Sequence, residues 1–213
     1  MPNKTIFSLR KHERRERDVT GKKLVHLTGE AYERAKFYGS LIEADRVCGY
    51  SSRSTRTVET LRGILEGAGI ENPEAVMQQT DLLNEIDFRP NPEYRRELDQ
   101  FLEYDDRINY LLQKPDRTGK IETMQQLGQK VMRHIGQVYR EVKGENGVCY
   151  VENVLHGASV EGALILLVDP TLKDIKYLHG GCRDGEGFRL EVEDGDCQVF
   201  FKGDGCNLRG LFK

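Results

Sequence analysis

Two short runs near the start of the chain, TIFSLRK at 5–11 and DRVCGYSS at 45–52, are rich in β-branched and aromatic residues and predict strands. Between them the period changes. After a polar loop containing Gly21, the segment LTGEAYERAKFYGSLIEA sets Ala31, Ala35, Tyr38 and Ile42 at helical spacing, with Thr28 as the N-cap. A second helix, SRSTRTVETLRGILEGAG, follows the second strand directly and closes on glycines. MQQTDLLNEIDF at 77–88 predicts a third strand. The proline-bounded stretch RPNPEYRRELDQFLEYDDRINYLLQKP predicts a charged, amphipathic helical insertion. IETMQQLGQKVMRHIGQVYREVKG then predicts a long helix ended by Gly144. In VCYVENVLHGASVEGALILLV a strand passes through His156-Gly157 into another helix. The tail GFRLEVEDGDCQVFFKG alternates and turns at Asp194-Gly195, which predicts a hairpin.

Strands alternating with helices imply an α/β fold, with a mostly parallel central sheet flanked by helices. The helical insertion at about 90–120 forms a small cap, the hairpin ends the chain, and residues 1–213 form one domain. In open sheets of this kind ligands bind at the carboxyl ends of strands. Three predicted strand ends carry groups suited to phosphate: Arg10-Lys11-His12, Ser51-Ser52 with Arg53 and Arg56, and His156-Gly157. The third run adds Glu85. Two histidines, several cations and a carboxylate thus converge on one edge.

Composition removes several alternatives. Net charge is −3, so no global field points to nucleic acid or to an anionic membrane. The longest apolar run, in GALILLVDP, is too short to cross a bilayer, and MPNKTIFSLRKHERR reaches charge too early for a secretory core. The cysteines at 48, 149, 182, 197 and 206 form no C-x-x-C pair, which argues against a disulfide framework or zinc knuckle and suits a reducing cytosol. KHERRER nearly balances its charges and reads as a solvated or substrate-facing loop. GGCRDGEG lacks the strand-then-helix setting of a dinucleotide loop and reads as a turn. His26, His134 and His179 read as structural, with no carboxylate or cysteine at metal-ligand spacing around mid-helix His134, and no metal or cofactor is expected.

Five segments in order, RKHER at 10–14, LTGEAYERA at 27–35, SSRSTRTVET at 51–60, LLNEIDF at 82–88 and VLHG at 154–157, give the chain its likeness to a known family. It resembles the histidine phosphatase superfamily, also called phosphoglycerate-mutase-like. The resemblance implies a phosphomonoesterase acting through a phosphohistidine on a small phosphorylated substrate. His12 would be the nucleophile, Arg56 the phosphate clamp, and His156 a donor to the phosphoryl oxygens. Glu85 would be the general acid and then base, with Asp87 its rival. Gly157 would add backbone N–H groups, and Ser52 and Lys11 further substrate contacts. A neutral imidazole is a competent covalent catalyst at pH 7, and an arginine fork meets two phosphate oxygens without losing charge.

Two positions depart from the family pattern. Lys11 stands where the family has arginine before its histidine, and Glu13 where it has glycine. Glu13 would repel a dianion unless it turns away, towards Arg14, Arg15 or Arg17. Strand alternation puts Arg10 on the side of His12 and makes it the main clamp, whereas an ungapped match gives that place to Lys11. The expected activity is a cytoplasmic, metal-independent hydrolase. A catalytically impaired phospho-ligand binding or regulatory protein is the rival, and a phosphomutase fits less well because the chain is short. Substrate choice would lie in the 90–120 cap and the 13–26 loop. No pattern in the chain sets an oligomeric state.

Overall fold

Phe7 and Leu9 of the first strand are fully buried against one face of a sheet, while Ser8 and Arg10, alternating with them, turn to the other. That alternation positions everything downstream. The computed structural model describes residues 3–13, 15–17, 23–144, 146–178, 180–194, 196–202 and 204–208. Gly21, Arg14, His179 and Gly195 lie outside the described residues, as do the side chains of Arg15 and Arg17.

Along the chain come β1 (Lys4–Lys11), β2 (Arg15–Arg17), β3 (Lys23–Leu27), α1 (Gly29–Ser40), β4 (Arg46–Ser51) and α2 (Thr55–Gly67). There follow β5 (Met77–Gln79), α3 (Pro92–Leu98), α4 (Tyr104–Gln113), α5 (Met124–Val142), β6 (Val148–Leu155) and α6 (Gly157–Val168). The last strands are β7 (Gly187–Glu193), β8 (Asp196–Phe201) and β9 (Asp204–Leu208). The main sheet has the order β5-β4-β6-β1-β7-β8-β9. Its first four strands are parallel, and β7, β8 and β9 continue it antiparallel.

Helices pack on both faces of the parallel strands. Phe7, Leu9, Val151 and Leu155 pack with Val131 and Ile135 of α5 and with Ala163 and Leu164 of α6. Val154 faces the opposite way, onto Ala35 of α1 and Leu61, Ile64 and Leu65 of α2. This is the α/β class implied by the sequence. Local signals hold at several helix ends: Thr28 Oγ1 accepts from the N–H of Ala31, and Thr123 and Gln126 form a capping box on α5. Gly144, at φ 91°, follows α5 in the left-handed conformation that glycine adopts without strain.

Three expectations are revised. The third strand keeps only Met77–Gln79, because the Thr80 side chain caps a 3-10 turn at Asp81–Leu83 and ends it. The predicted loop at 13–26 contains the antiparallel pair β2–β3. The terminal hairpin gains a third strand, β9, paired to β8. The proline-bounded insertion folds as α3 and α4, two short helices standing over the carboxyl ends of β1, β4 and β6.

Candidate active site

A cavity of about 340 Å³ opens at those strand ends, lined by Lys11, His12, Arg56, Glu85, His156 and Gly157, and by residues of α3 and α4. His12 leaves β1 with its N–H still donating to Leu155 O (3.0 Å), so the turn starts at the histidine itself. Its Nδ1 lies 2.7 Å from Glu13 O. A carbonyl only accepts, so Nδ1 carries the proton and Nε2 holds the lone pair. Burial, reinforced by the Arg56 cation, pushes the His12 pKa down to about 4, which leaves a neutral imidazole at pH 7.

Glu13 turns away from the cavity. Its carboxylate is fully buried and pairs with Arg34 of α1 (3.2 Å), while its backbone N–H donates to Thr60 Oγ1 (3.1 Å). Among the described residues its partner is Arg34; the side chains of Arg14, Arg15 and Arg17, to which the sequence pointed, lie outside them. The charge that would repel a dianion is turned inward and neutralised.

Arg56 sits in the first turn of α2, whose entry holds Ser52 and Thr57 in contact (2.8 Å). Its Nη2 donates to Glu85 Oε2 (2.7 Å) and to His156 Nδ1 (3.0 Å). Its Nε is buried and has no acceptor among the described residues. An orphaned guanidinium N–H in a cavity is a ready anion donor. His156 ends β6 and precedes α6; its Nε2 meets Ser52 Oγ (3.1 Å). Ser52 is thus behind His156 and does not line the cavity: it orients the ring in place of touching a ligand. Gly157 does line it, at a helix start whose first N–H groups have no intrahelical acceptor. A side chain there would collide with the Tyr104 hydroxyl.

Glu85 lines the cavity and its side chain is 59% exposed; Asp87 does not line it and is held by Arg89, which draws its pKa down to about 2. The two candidates therefore separate by position. So do the cations beside His12. Lys11 reaches the cavity, where its Nζ meets Asp184 (3.2 Å) and Cys182 O (3.2 Å) and lies 3.9 Å from the centre of the Tyr104 ring. Arg10 is absent from the lining. It is held under α1 by Glu152 (3.2 Å) and Gly185 O (2.7 Å), against the Tyr38 ring. The expectation that Arg10 is the main clamp is corrected: the turn after Lys11 brings the lysine to the pocket, and buried Glu152 claims the arginine.

His26 pairs with Glu59 at the surface, and His134 Nε2 meets Asn153 Oδ1 (2.9 Å) inside the fold. Among the described residues no group of three His, Cys, Asp or Glu side chains can hold a metal, and no helix is long and apolar enough to cross a membrane. Sequence reasoning missed Tyr104, Arg107 and Asp184. The first two lay unmarked in the amphipathic insertion, and Asp184 lay in a stretch read only as a turn.

A family model described as histidine phosphatase superfamily (branch 1) matches residues 10–202. No curated protein sequence matches the chain. Among solved structures, a phosphoglycerate mutase from Bacillus anthracis str. Sterne superposes with a TM-score of 0.63 at 19% identity, covering 95% of this chain and 94% of that one. Bacillus stearothermophilus YhfR gives 0.63 at 20% identity, covering 94% and 97%. A phosphoserine phosphatase mutant from Entamoeba histolytica, in complex with phosphoserine, gives 0.55 at 19% identity, covering 95% and 94%. With the match spanning most of its length, from the end of β1 through β8, the chain belongs to the histidine phosphatase superfamily, branch 1.

Proposed function

We propose that the protein hydrolyses a small phosphomonoester through a phosphohistidine on His12. One observation carries the reading: His12 faces the cavity as a neutral ring with Nδ1 held by the Glu13 carbonyl, so Nε2 is left as the nucleophile. Nε2 attacks phosphorus, the N–P bond forms, and the ester P–O bond breaks. Arg56 holds the phosphoryl oxygens as charge develops on them, and His156, whose Nδ1 takes up a proton from solvent when Arg56 turns from it to the phosphate, donates a second hydrogen bond. The N–H groups of Gly157 and Ala158 add a helix N-terminus, and Lys11 adds field. Glu85, released from Arg56 by the phosphoryl group, takes a proton from solvent and gives it to the departing oxygen. A water then attacks phosphorus, Glu85 accepts its proton, and the N–P bond breaks to release inorganic phosphate.

Cys182 and Cys197 carry free thiols, which suits a cytoplasmic setting. The reaction as written calls on no metal ion, and activity is expected to survive a chelator. A second reading, binding of a phospho-ligand without turnover, is favoured by one contact: Asp184 engages the lysine beside the nucleophile. Turnover of an aryl phosphate with chelator present separates the two readings. The wild-type protein should hydrolyse it and carry an acid-labile, base-stable phosphoryl label, and His12→Ala should lose both. Full activity in the alanine variant would end the covalent reading, and binding without turnover by the wild type would favour the second.

A further inference from the structure

The cavity continues well past the phosphate end. Beyond Arg56 and His156 its wall becomes apolar, made by Phe88, Leu98, Ile108 and Leu111. At about 340 Å³ it falls in the size range of small-molecule pockets and leaves room beside a phosphoryl group for an apolar body.

Four cations line this space, and three are already engaged. Lys11 pairs with Asp184 (3.2 Å), Arg56 with Glu85 (2.7 Å), and Arg95 with Asp99 (2.9 Å). Arg107 is different: its Nε donates to Phe101 O (2.8 Å), and no carboxylate partner is found for it among the described residues. The carbonyl fixes the base of the guanidinium and leaves its terminal N–H groups unclaimed. Arg107 stands in α4 next to Ile108 and four residues before Leu111, so a cation is set within the apolar wall. A half-buried guanidinium held at one nitrogen is suited to bind a planar anion through the others.

We infer that the substrate is a phosphomonoester whose apolar body ends in a second anionic group, a carboxylate, and that Arg107 selects it. The inference rests on the phosphatase reading for turnover but not for binding. Phenyl phosphate is compared with its meta- and para-carboxy derivatives, using wild type, Arg107→Gln and Arg107→Lys. In the wild type at least one carboxylated compound should exceed phenyl phosphate in kcat/KM by about tenfold or more, the scale of one charge-assisted hydrogen bond. Arg107→Gln should collapse that ratio towards one, and Arg107→Lys should restore part of it. A wild-type ratio of one or less, or a ratio that persists in Arg107→Gln, would overturn the inference. If none of the three compounds turns over, the phosphatase reading fails separately. Calorimetric binding of the same compounds then tests Arg107: a carboxylate preference lost in Arg107→Gln supports the inference, and equal binding or no binding overturns it.

Discussion

The imidazole rings of His12 and His156 stand 5.3 Å apart between centroids and 68° apart in plane, edge to face across the floor of the cavity. Each is fixed from behind, His12 by the Glu13 carbonyl and His156 by Ser52 Oγ. Two rings locked this way would serve the proposed chemistry without rotamer loss on binding.

The nucleophile should remain neutral far into acid. Burial and Arg56 push His12 from 6.5 to about 4, so its ring signals in an NMR titration should move near pH 4 and stay flat through 6.5. Arg56→Gln removes one of the two main causes and should raise the midpoint. A wild-type midpoint near 6.5 would show that the ring is solvated.

Lys11 and Arg10 should separate by assay. Lys11→Ala should lower kcat/KM by about tenfold to a hundredfold, as expected for one charge-assisted contact to phosphate. Arg10→Ala strands buried Glu152 and should lower stability by roughly 3–5 kcal/mol, read as a drop in Tm, with the smaller kinetic loss of the two. The reverse kinetic ranking would return the clamp to Arg10.

Glu85→Gln should harm alkyl phosphates far more than activated aryl phosphates, whose leaving groups need little help from a proton. General acid catalysis is worth about 10²- to 10⁴-fold, so the gap between the two substrate types is measurable. Equal losses on both would remove Glu85 from acid duty, and Asp87, held by Arg89 outside the cavity, would be a poor replacement.

Glu161 supplies a stability test. It is fully buried on α6, with Oε1 accepting from Tyr104 Oη (3.0 Å) and Cys182 N (2.7 Å) and Oε2 without a partner among the described residues. Burial raises its pKa from 4.5 to about 7. The folded state therefore keeps a proton that the unfolded chain releases, so this contribution is whole below 4.5 and is lost as pH rises to 7 and above. The loss is at most about 3 kcal/mol. Glu161→Gln keeps the accepting oxygen, and urea melts should find it more stable than wild type at pH 8 but not at pH 4. A difference that does not change with pH would place the proton elsewhere.

Much of this site is legible along the chain. His12 and His156 follow apolar runs that can only be strands, and Arg56 and Gly157 open the helices that follow, so local periodicity sets each at a strand end. Parallel strands then bring those ends to one edge. The division between Asp87 and Glu85 is less visible, because a three-residue strand followed by a 3-10 turn leaves no period to count.

Partner choice over long separations follows no local pattern. Whether Arg10 or Lys11 meets the ligand depends on Glu152, which belongs to β6 and adjoins β1 only because the sheet order puts those strands together. Glu13 finds Arg34 because α1 crosses behind the turn. Asp184 reaches Lys11 through the loop that leads into β7. Spacing along a chain fixes which face a residue occupies on its own element. Which charge stands opposite is set by strand order and helix packing, where burial makes an unpaired charge costly.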